Sequence, residues 1–195
     1  MGTLENLVKY KIVLASKSPR RKQLLENLGV EFIIISKNVE EFYPLDTNPS
    51  ETALFLSELK ANAFPDSEID DDTLIITADT IVSLNGKIMG KPKDKYEAKE
   101  ILKELSGKNH EVITGVTLKS KTKFRSFAVK TKVHFKNLNK EEIDFYVDNY
   151  KPMDKAGAYG IQEWIGYIGI DRIEGSFYNV MGLPTQKLYE ELLKF

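Results

Sequence analysis

The chain has 195 residues, with 28 Lys plus Arg against 29 Asp plus Glu and 42% hydrophobic residues, so its formal charge is −1. No basic excess is left over for a nucleic-acid polymer, and ten Phe and nine Tyr supply too much apolar surface for a disordered chain. The absence of Cys rules out disulfide frameworks, thiol nucleophiles and Cys-based zinc sites. Any metal must therefore sit on oxygen ligands or on the two His.

Strand-like and helix-like segments alternate, which predicts an α/β fold of one domain over 1–195, in two lobes. Lys11 to Ala15 reads as a short buried strand. A helix follows from Ser18 to Leu28, with Ser18 as N-cap, Pro19 in the first helical position and Gly29 as its stop. Glu31 to Ser36 has strand character, and a helix spans from Pro49 to just before Pro65. The acidic run Asp66 to Asp72 is expected as a solvated loop leading into an apolar strand, Leu74 to Ala78.

Ile81 to Met89 predicts a hairpin about Asn85-Gly86, the dipeptide of a two-residue type I′ turn. Asp94-x-x-Glu97 opens a helix that runs to Leu105, buries Ala98, Ile101, Leu102 and Leu105, and stops at Gly107. Strands are expected at Glu111 to Leu118 and Phe124 to Phe135, a helix capped by Asn139-x-x-Glu142, and a last helix from Pro184 to Leu193. The N-terminal apolar run is too short for a signal peptide, and no stretch approaches the length of a membrane span. A cytoplasmic protein with no membrane partner is the expectation.

Three features break local rules. Arg20 and Arg21 occupy the first helical turn after Ser16-Lys17-Ser18-Pro19, where the helix dipole disfavours cations. Together with free helix N–H groups and the Ser16 and Ser18 hydroxyls they describe a phosphate cradle; the plain alternative is a pair of solvated arginines. Asp79 interrupts two apolar runs and is expected near the carboxyl end of its strand, where it holds a divalent metal or accepts a proton from water, or only closes the strand through an Asx-turn. Lys60 falls inside the apolar arc of its helix, so it either snorkels to water or reaches an anion. Lys91, in Gly90-Lys91-Pro92, sits in a stiffened loop and by itself says nothing.

Other patterns are absent. There is no GxxxxGK[ST] or GxGxxG, and His110-Glu111 has Thr114 where a zincin requires a second His. Residues 119–136 hold seven Lys or Arg and no acid, with Phe124, Phe127 and Phe135 interleaved. That pattern permits single-strand nucleic-acid binding, but lysines guarding an exposed sheet edge explain it more simply.

The segments Leu14-Ala-Ser-Lys-Ser-Pro-Arg-Arg-Lys-Gln-Leu-Leu25, Val39-Glu-Glu41, Lys60-Ala61, Ala78-Asp-Thr-Ile-Val82, Gly90-Lys-Pro92, Leu105-Ser-Gly107, Tyr150 to Gln162 and Gly182-Leu-Pro184 together resemble the Maf family of nucleoside triphosphate pyrophosphatases. The resemblance implies a two-lobed fold like that of inosine triphosphate pyrophosphatases, with an elongated mixed sheet flanked by helices and a cleft between the lobes. It also implies metal-assisted hydrolysis, with Mg²⁺ or Mn²⁺, of a nucleoside triphosphate to the monophosphate and pyrophosphate.

By position, Asp79 matches the family's proton acceptor, and Arg20, Thr80 and Gln162 match the positions tied to substrate choice. Their identities resemble the dTTP/UTP branch rather than the 7-methyl-GTP branch. Glu41, Arg21, Lys60 and Lys91 match further active-site positions, with Glu41 and Asp79 near the metal and Ser16, Arg20, Arg21, Lys60 and Lys91 on the substrate. A homodimer is also a family expectation, and a nucleotide-binding regulator of septum formation is the non-catalytic alternative. One departure stands out: Glu163-Trp164 follows Gly-Ile-Gln where many members continue with glycine, and a bulky ring there is expected to reshape the base pocket.

Overall fold

The computed structural model describes residues 4–43 and 47–195. Seven α-helices and seven strands are present among them: β1 Lys11–Leu14, α1 Pro19–Glu26, β2 Ile33–Ile34, α2 Pro49–Asn62, β3 Thr73–Leu84, β4 Lys87–Met89, α3 Lys95–Leu105, β5 Asn109–Lys119, β6 Phe124–Phe135, α4 Lys140–Tyr150, α5 Trp164–Gly169, β7 Ile170–Glu174, α6 Phe177–Met181 and α7 Thr185–Leu193. The strands form one mixed sheet in the order β2-β1-β3-β5-β6-β7, with β4 paired to β3. This is the α/β architecture that the alternating pattern predicts, with the mixed, helix-flanked sheet that the family resemblance implies.

Two compact units divide the chain. The first comprises residues 4–43, 47–79, 114–129 and 182–195; the second comprises 80–113 and 130–181. In the first unit β1 pairs in parallel with β3 from Lys11↔Thr73 to Leu14↔Ile76. Val13, Ala15, Phe64, Ile69 and Ile75 form an apolar cluster there. In the second unit the apolar face of α3 (Ala98, Ile101, Leu102 and Leu105) packs with Val133, Phe135, Ile143, Tyr146 and Tyr159.

Local signals act much as expected. Ser18 accepts the Arg21 N–H at 3.4 Å, and Gly29 takes a positive φ of 72° just past the end of α1. Asn85 and Gly86 both have positive φ, as a type I′ turn demands, and β4 returns against β3 with Val82 facing Met89. Asn139 and Glu142 make the reciprocal capping box. At α3 the box is shifted: Asp94 accepts the Glu97 N–H at 2.8 Å, but the Glu97 carboxylate reaches one residue further back, to the Lys93 N–H at 2.7 Å.

Four expectations need correction. The strand at Glu31 to Ser36 contracts to Ile33–Ile34, which pairs with β1 on one side only, and Ile33, Ile34 and Ile35 are all exposed. β7 covers the end of β6, pairing from Lys132 to Phe135 and setting Glu174 opposite Lys132, so the strand is not an edge along that stretch. The basic stretch is instead matched by acids: Lys119 pairs with Asp66 at 3.1 Å, Lys121 with Asp71 at 2.7 Å, Lys130 with Glu111 at 3.1 Å and Lys136 with Glu142 at 2.8 Å. The acidic run is correspondingly more than a solvated loop, since two of its carboxylates meet those lysines and Asp66–Glu68 forms a 3₁₀ turn. Finally, Asp79 lies within a single 12-residue strand rather than at a strand end.

The second unit contains a pH-sensitive core group. His110 is buried, its Nε2 lies 2.7 Å from the Tyr159 hydroxyl, and burial, aided by His134, pulls its pKa down from 6.5 to about 4. The unfolded chain therefore takes up a proton below about pH 6.5 that the folded chain refuses until about pH 4. Stability is full above that window and falls through it by on the order of 3 kcal/mol, because each tenfold difference in proton affinity between the two states is worth about 1.4 kcal/mol. Urea unfolding at pH 7 and pH 4.5 should show this loss, and His110→Gln should flatten it; an equally steep profile in the variant would assign the loss to other groups.

Candidate active site

The first unit builds a cluster of charge around Asp79. Helix α2 starts at an Asn48–Glu51 capping box and lies so close to β5 that a Cβ on Gly115 would overlap the Ala53 carbonyl. Ser57 and Lys60, three apart on α2, present one face to Thr77 and Asp79, two apart on β3. Thr77 Oγ1 donates to the Ser57 carbonyl at 2.7 Å, and Ser57 Oγ lies 2.9 Å from Thr117 Oγ1. One helical turn further along, the Lys60 ammonium contacts the Asp79 carboxylate directly and Glu41 Oε1 at 2.7 Å. Lys60 therefore reaches anions rather than snorkelling to water.

The side chains of Asp79 and Lys60 are only 12% and 19% exposed, so their pairing is poorly screened, whereas Glu41 is 42% exposed and reachable from solvent. The two carboxylates are close enough to share one cation. Hard oxygens of this kind suit Mg²⁺ or Mn²⁺. Among the described residues no group of three or more His, Asp or Glu gathers, so a divalent ion here would complete its shell with water and phosphate oxygens, as Mg²⁺ commonly does.

The arginines belong to the same cluster. Arg21 Nε donates to the Gly182 carbonyl at 2.8 Å and Nη1 to Ser16 Oγ at 3.5 Å, which fixes its fork. Burial lowers the Arg21 pKa, Asp79 and Glu41 raise it and Arg20 lowers it; the group remains charged, as guanidinium does in proteins. Ser16 is buried and also accepts the Ser18 N–H at 3.2 Å. No acid stands in the first turn of α1 itself, and the carboxylates that act on Arg21 come from Asp79 and Glu41. The structure thus gathers Ser16, Arg20, Arg21, Glu41, Lys60 and Asp79.

The remaining predicted residues belong to the second unit. Thr80 follows Asp79 in β3, and the two-residue period of a strand points it to the opposite face. Lys91 is exposed, beside Gly90, whose carbonyl accepts the Gly157 N–H at 3.1 Å. Gly157 has φ 70°, and a Cβ there would come within 2.9 Å of a Val82 methyl. The next residue, Ala158, holds φ 58°, a left-handed conformation that alanine adopts at a cost. Gln162, half-buried, follows on the turn in which the Glu163 N–H bonds the Gly160 carbonyl at 3.0 Å.

Trp164 turns its ring onto Phe145 of α4, with centroids 4.7 Å apart. Sequence reasoning missed Tyr146, a partner of Glu163, and gave no role to two residues inside its matched segments: Gly182, which fixes Arg21, and Lys155, which pairs with Glu163. The signal for the two partners of Glu163 was the acid standing at 163 where glycine was expected.

An α/β protein that sets three cations and two carboxylates at one end of a parallel strand pair is built to handle a polyanion. The chain belongs to the Maf family, described as Maf-like protein, which matches residues 11–195. Among curated relatives it is similar to the dTTP/UTP pyrophosphatases of Phocaeicola vulgatus (54% identity over 98% of this chain and 99% of the other) and Bacteroides thetaiotaomicron (53% over 98% and 99%). That of Porphyromonas gingivalis is 50% identical over 98% of both chains. Among solved structures the Staphylococcus aureus Ham1 protein matches 64% of this chain and 71% of its own at 16% identity, with a TM-score of 0.41.

Proposed function

We propose that this protein hydrolyses dTTP and UTP to the nucleoside monophosphate and pyrophosphate. The observation that carries the reading is the shared Lys60 contact of Asp79 and Glu41 beside Arg21, a charge pattern suited to a metal-bound triphosphate and present in a chain whose relatives bear that activity in their names. Arg20, Arg21, Lys60 and Ser16 bind the phosphates. Thr80 and Gln162 are assigned to the base.

Catalysis here is placement plus charge stabilisation. Glu41 and Asp79 would hold Mg²⁺ or Mn²⁺, which supplies Lewis-acid neutralisation of the phosphate oxygens. Lys60 exchanges its carboxylate partners for a phosphate oxygen, which frees an Asp79 oxygen to accept a proton. Water oxygen bonds to the α-phosphorus and its proton passes to Asp79. The bond from that phosphorus to the bridging oxygen breaks, and its electron pair leaves with pyrophosphate. Arg21, already fixed by Gly182 and Ser16, stabilises the growing charge with little reorganisation. Phosphorus NMR of dTTP incubated with the protein and Mn²⁺ should show thymidine monophosphate and pyrophosphate in equal amounts; orthophosphate with the diphosphate, or unchanged substrate, would refute the assignment.

A further inference from the structure

A glutamine amide is an ambiguous reader of pyrimidines. Rotated one way it offers a carbonyl to the N3–H and an amino group to O4 of uracil or thymine. Rotated by 180° it suits the reversed edge of cytosine equally well, with an acceptor at N3 and a donor at N4. Gln162 can therefore separate uracil and thymine from cytosine only if its turn holds one orientation.

The second unit contains a device for this. Lys155 and Glu163 form an ion pair at 3.1 Å, with the Lys155 side chain 9% and the Glu163 side chain 20% exposed. The other Glu163 oxygen accepts the Tyr146 hydroxyl proton, and that hydroxyl oxygen in turn accepts the Gly160 N–H at 2.9 Å. Burial and the Glu163 carboxylate both raise the Tyr146 pKa, so the phenol stays a donor. A Cβ on Gly160 would meet Glu163 Cδ at 2.8 Å and Gln162 Nε2 at 3.1 Å. The Glu163 carboxylate and the Gln162 amide thus lean on the same bare stretch of backbone, whose N–H is tied to the same hydroxyl. Glu163 has two acceptor oxygens and uses both; a neutral amide in its place has only one.

We propose that Tyr146, Glu163 and Lys155 act as positioning residues that hold the Gly160–Glu163 turn and thereby lock the Gln162 amide in the orientation that reads uracil and thymine and rejects cytosine. The inference rests on the assignment of Gln162 to the base.

The experiment compares kcat/KM for UTP and CTP, and for dTTP and dCTP, in the parent and in Gln162→Ala, Glu163→Gln and Tyr146→Phe, with thermal melts of each. Glu163→Gln and Tyr146→Phe are expected to lower the UTP:CTP ratio about tenfold, the size of effect that one misoriented polar contact produces. The change should come through KM, with kcat on UTP within about threefold, because the phosphate-binding residues are untouched. Tyr146→Phe removes a single oxygen and serves if Glu163→Gln folds poorly. A ratio that falls in Gln162→Ala but holds in both other variants overturns the positioning role alone. A ratio unmoved by Gln162→Ala, or a parent that hydrolyses neither UTP nor dTTP, overturns the base assignment and this inference with it.

Discussion

Asp79→Asn is expected to lower kcat on dTTP by about 10³-fold, within the range that a positioned general base contributes. Asparagine keeps the shape of the side chain and still lets Lys60 bond an oxygen, while Glu41 continues to hold the ammonium at 2.7 Å. The fold should survive. Substrate binding measured without the divalent ion should hold or tighten, because one negative charge facing the triphosphate is removed. Pyrophosphate release rates, measured beside calorimetric titration with dTTP, separate the two effects. A variant that binds normally and turns over at the parental rate would strike Asp79 from the mechanism.

Gly115→Ala should destabilise the protein by about 3 kcal/mol, the upper part of the usual overpacking range, since the obstacle is backbone. The added methyl overlaps the Ala53 carbonyl and comes within 2.7 Å of the Leu54 nitrogen, and neither can rotate away. At about 2–4 °C per kcal/mol for a chain of this size, the melting temperature should fall by roughly 6–12 °C. Helix α2 must lift off β5, and Lys60 rides on that helix. Turnover at a temperature where the variant remains folded should therefore also drop. An unchanged melting temperature would show that α2 adjusts freely and that its seat on β5 does not set the position of Lys60.

Much of this was legible in the chain because short-range physics decided it. Ser18-Pro19, Asn85-Gly86 and Asn139-x-x-Glu142 each specify a turn or cap from a few neighbouring residues, and each does so here. The unusual placement of Arg20, Arg21, Lys60 and Asp79 also marked the charged cluster, since each breaks a local preference that only a distant partner could repair. Long-range pairing was harder to read. The stretch 119–136 looked like a guarded edge because it holds no acid of its own, and the compensating carboxylates come from Asp66, Asp71, Glu111 and Glu142. β7 was missed because Ile170-Asp-Arg-Ile-Glu174 is short, mostly exposed and half charged. The Asp79 strand was cut too early for a related reason: a carboxylate inside a strand is disfavoured until a lysine from α2 is brought to it. At α2 itself Asn48-x-x-Glu51 was a readable cap that was passed over in favour of Pro49.

The bond from Arg21 to the Gly182 carbonyl spans 161 positions. Synthesis runs from the amino end, so α1 and its arginines leave the ribosome long before the carbonyl that steadies Arg21 does. Through that interval the nascent chain carries its cations without the segment that fixes them. Premature termination between Asp79 and Gly182 would yield a chain with Asp79, Lys60 and both arginines intact in sequence, yet with Arg21 lacking this anchor. The fixed Arg21 fork is in this sense withheld until Gly182 has been made, by the order in which the molecule is assembled.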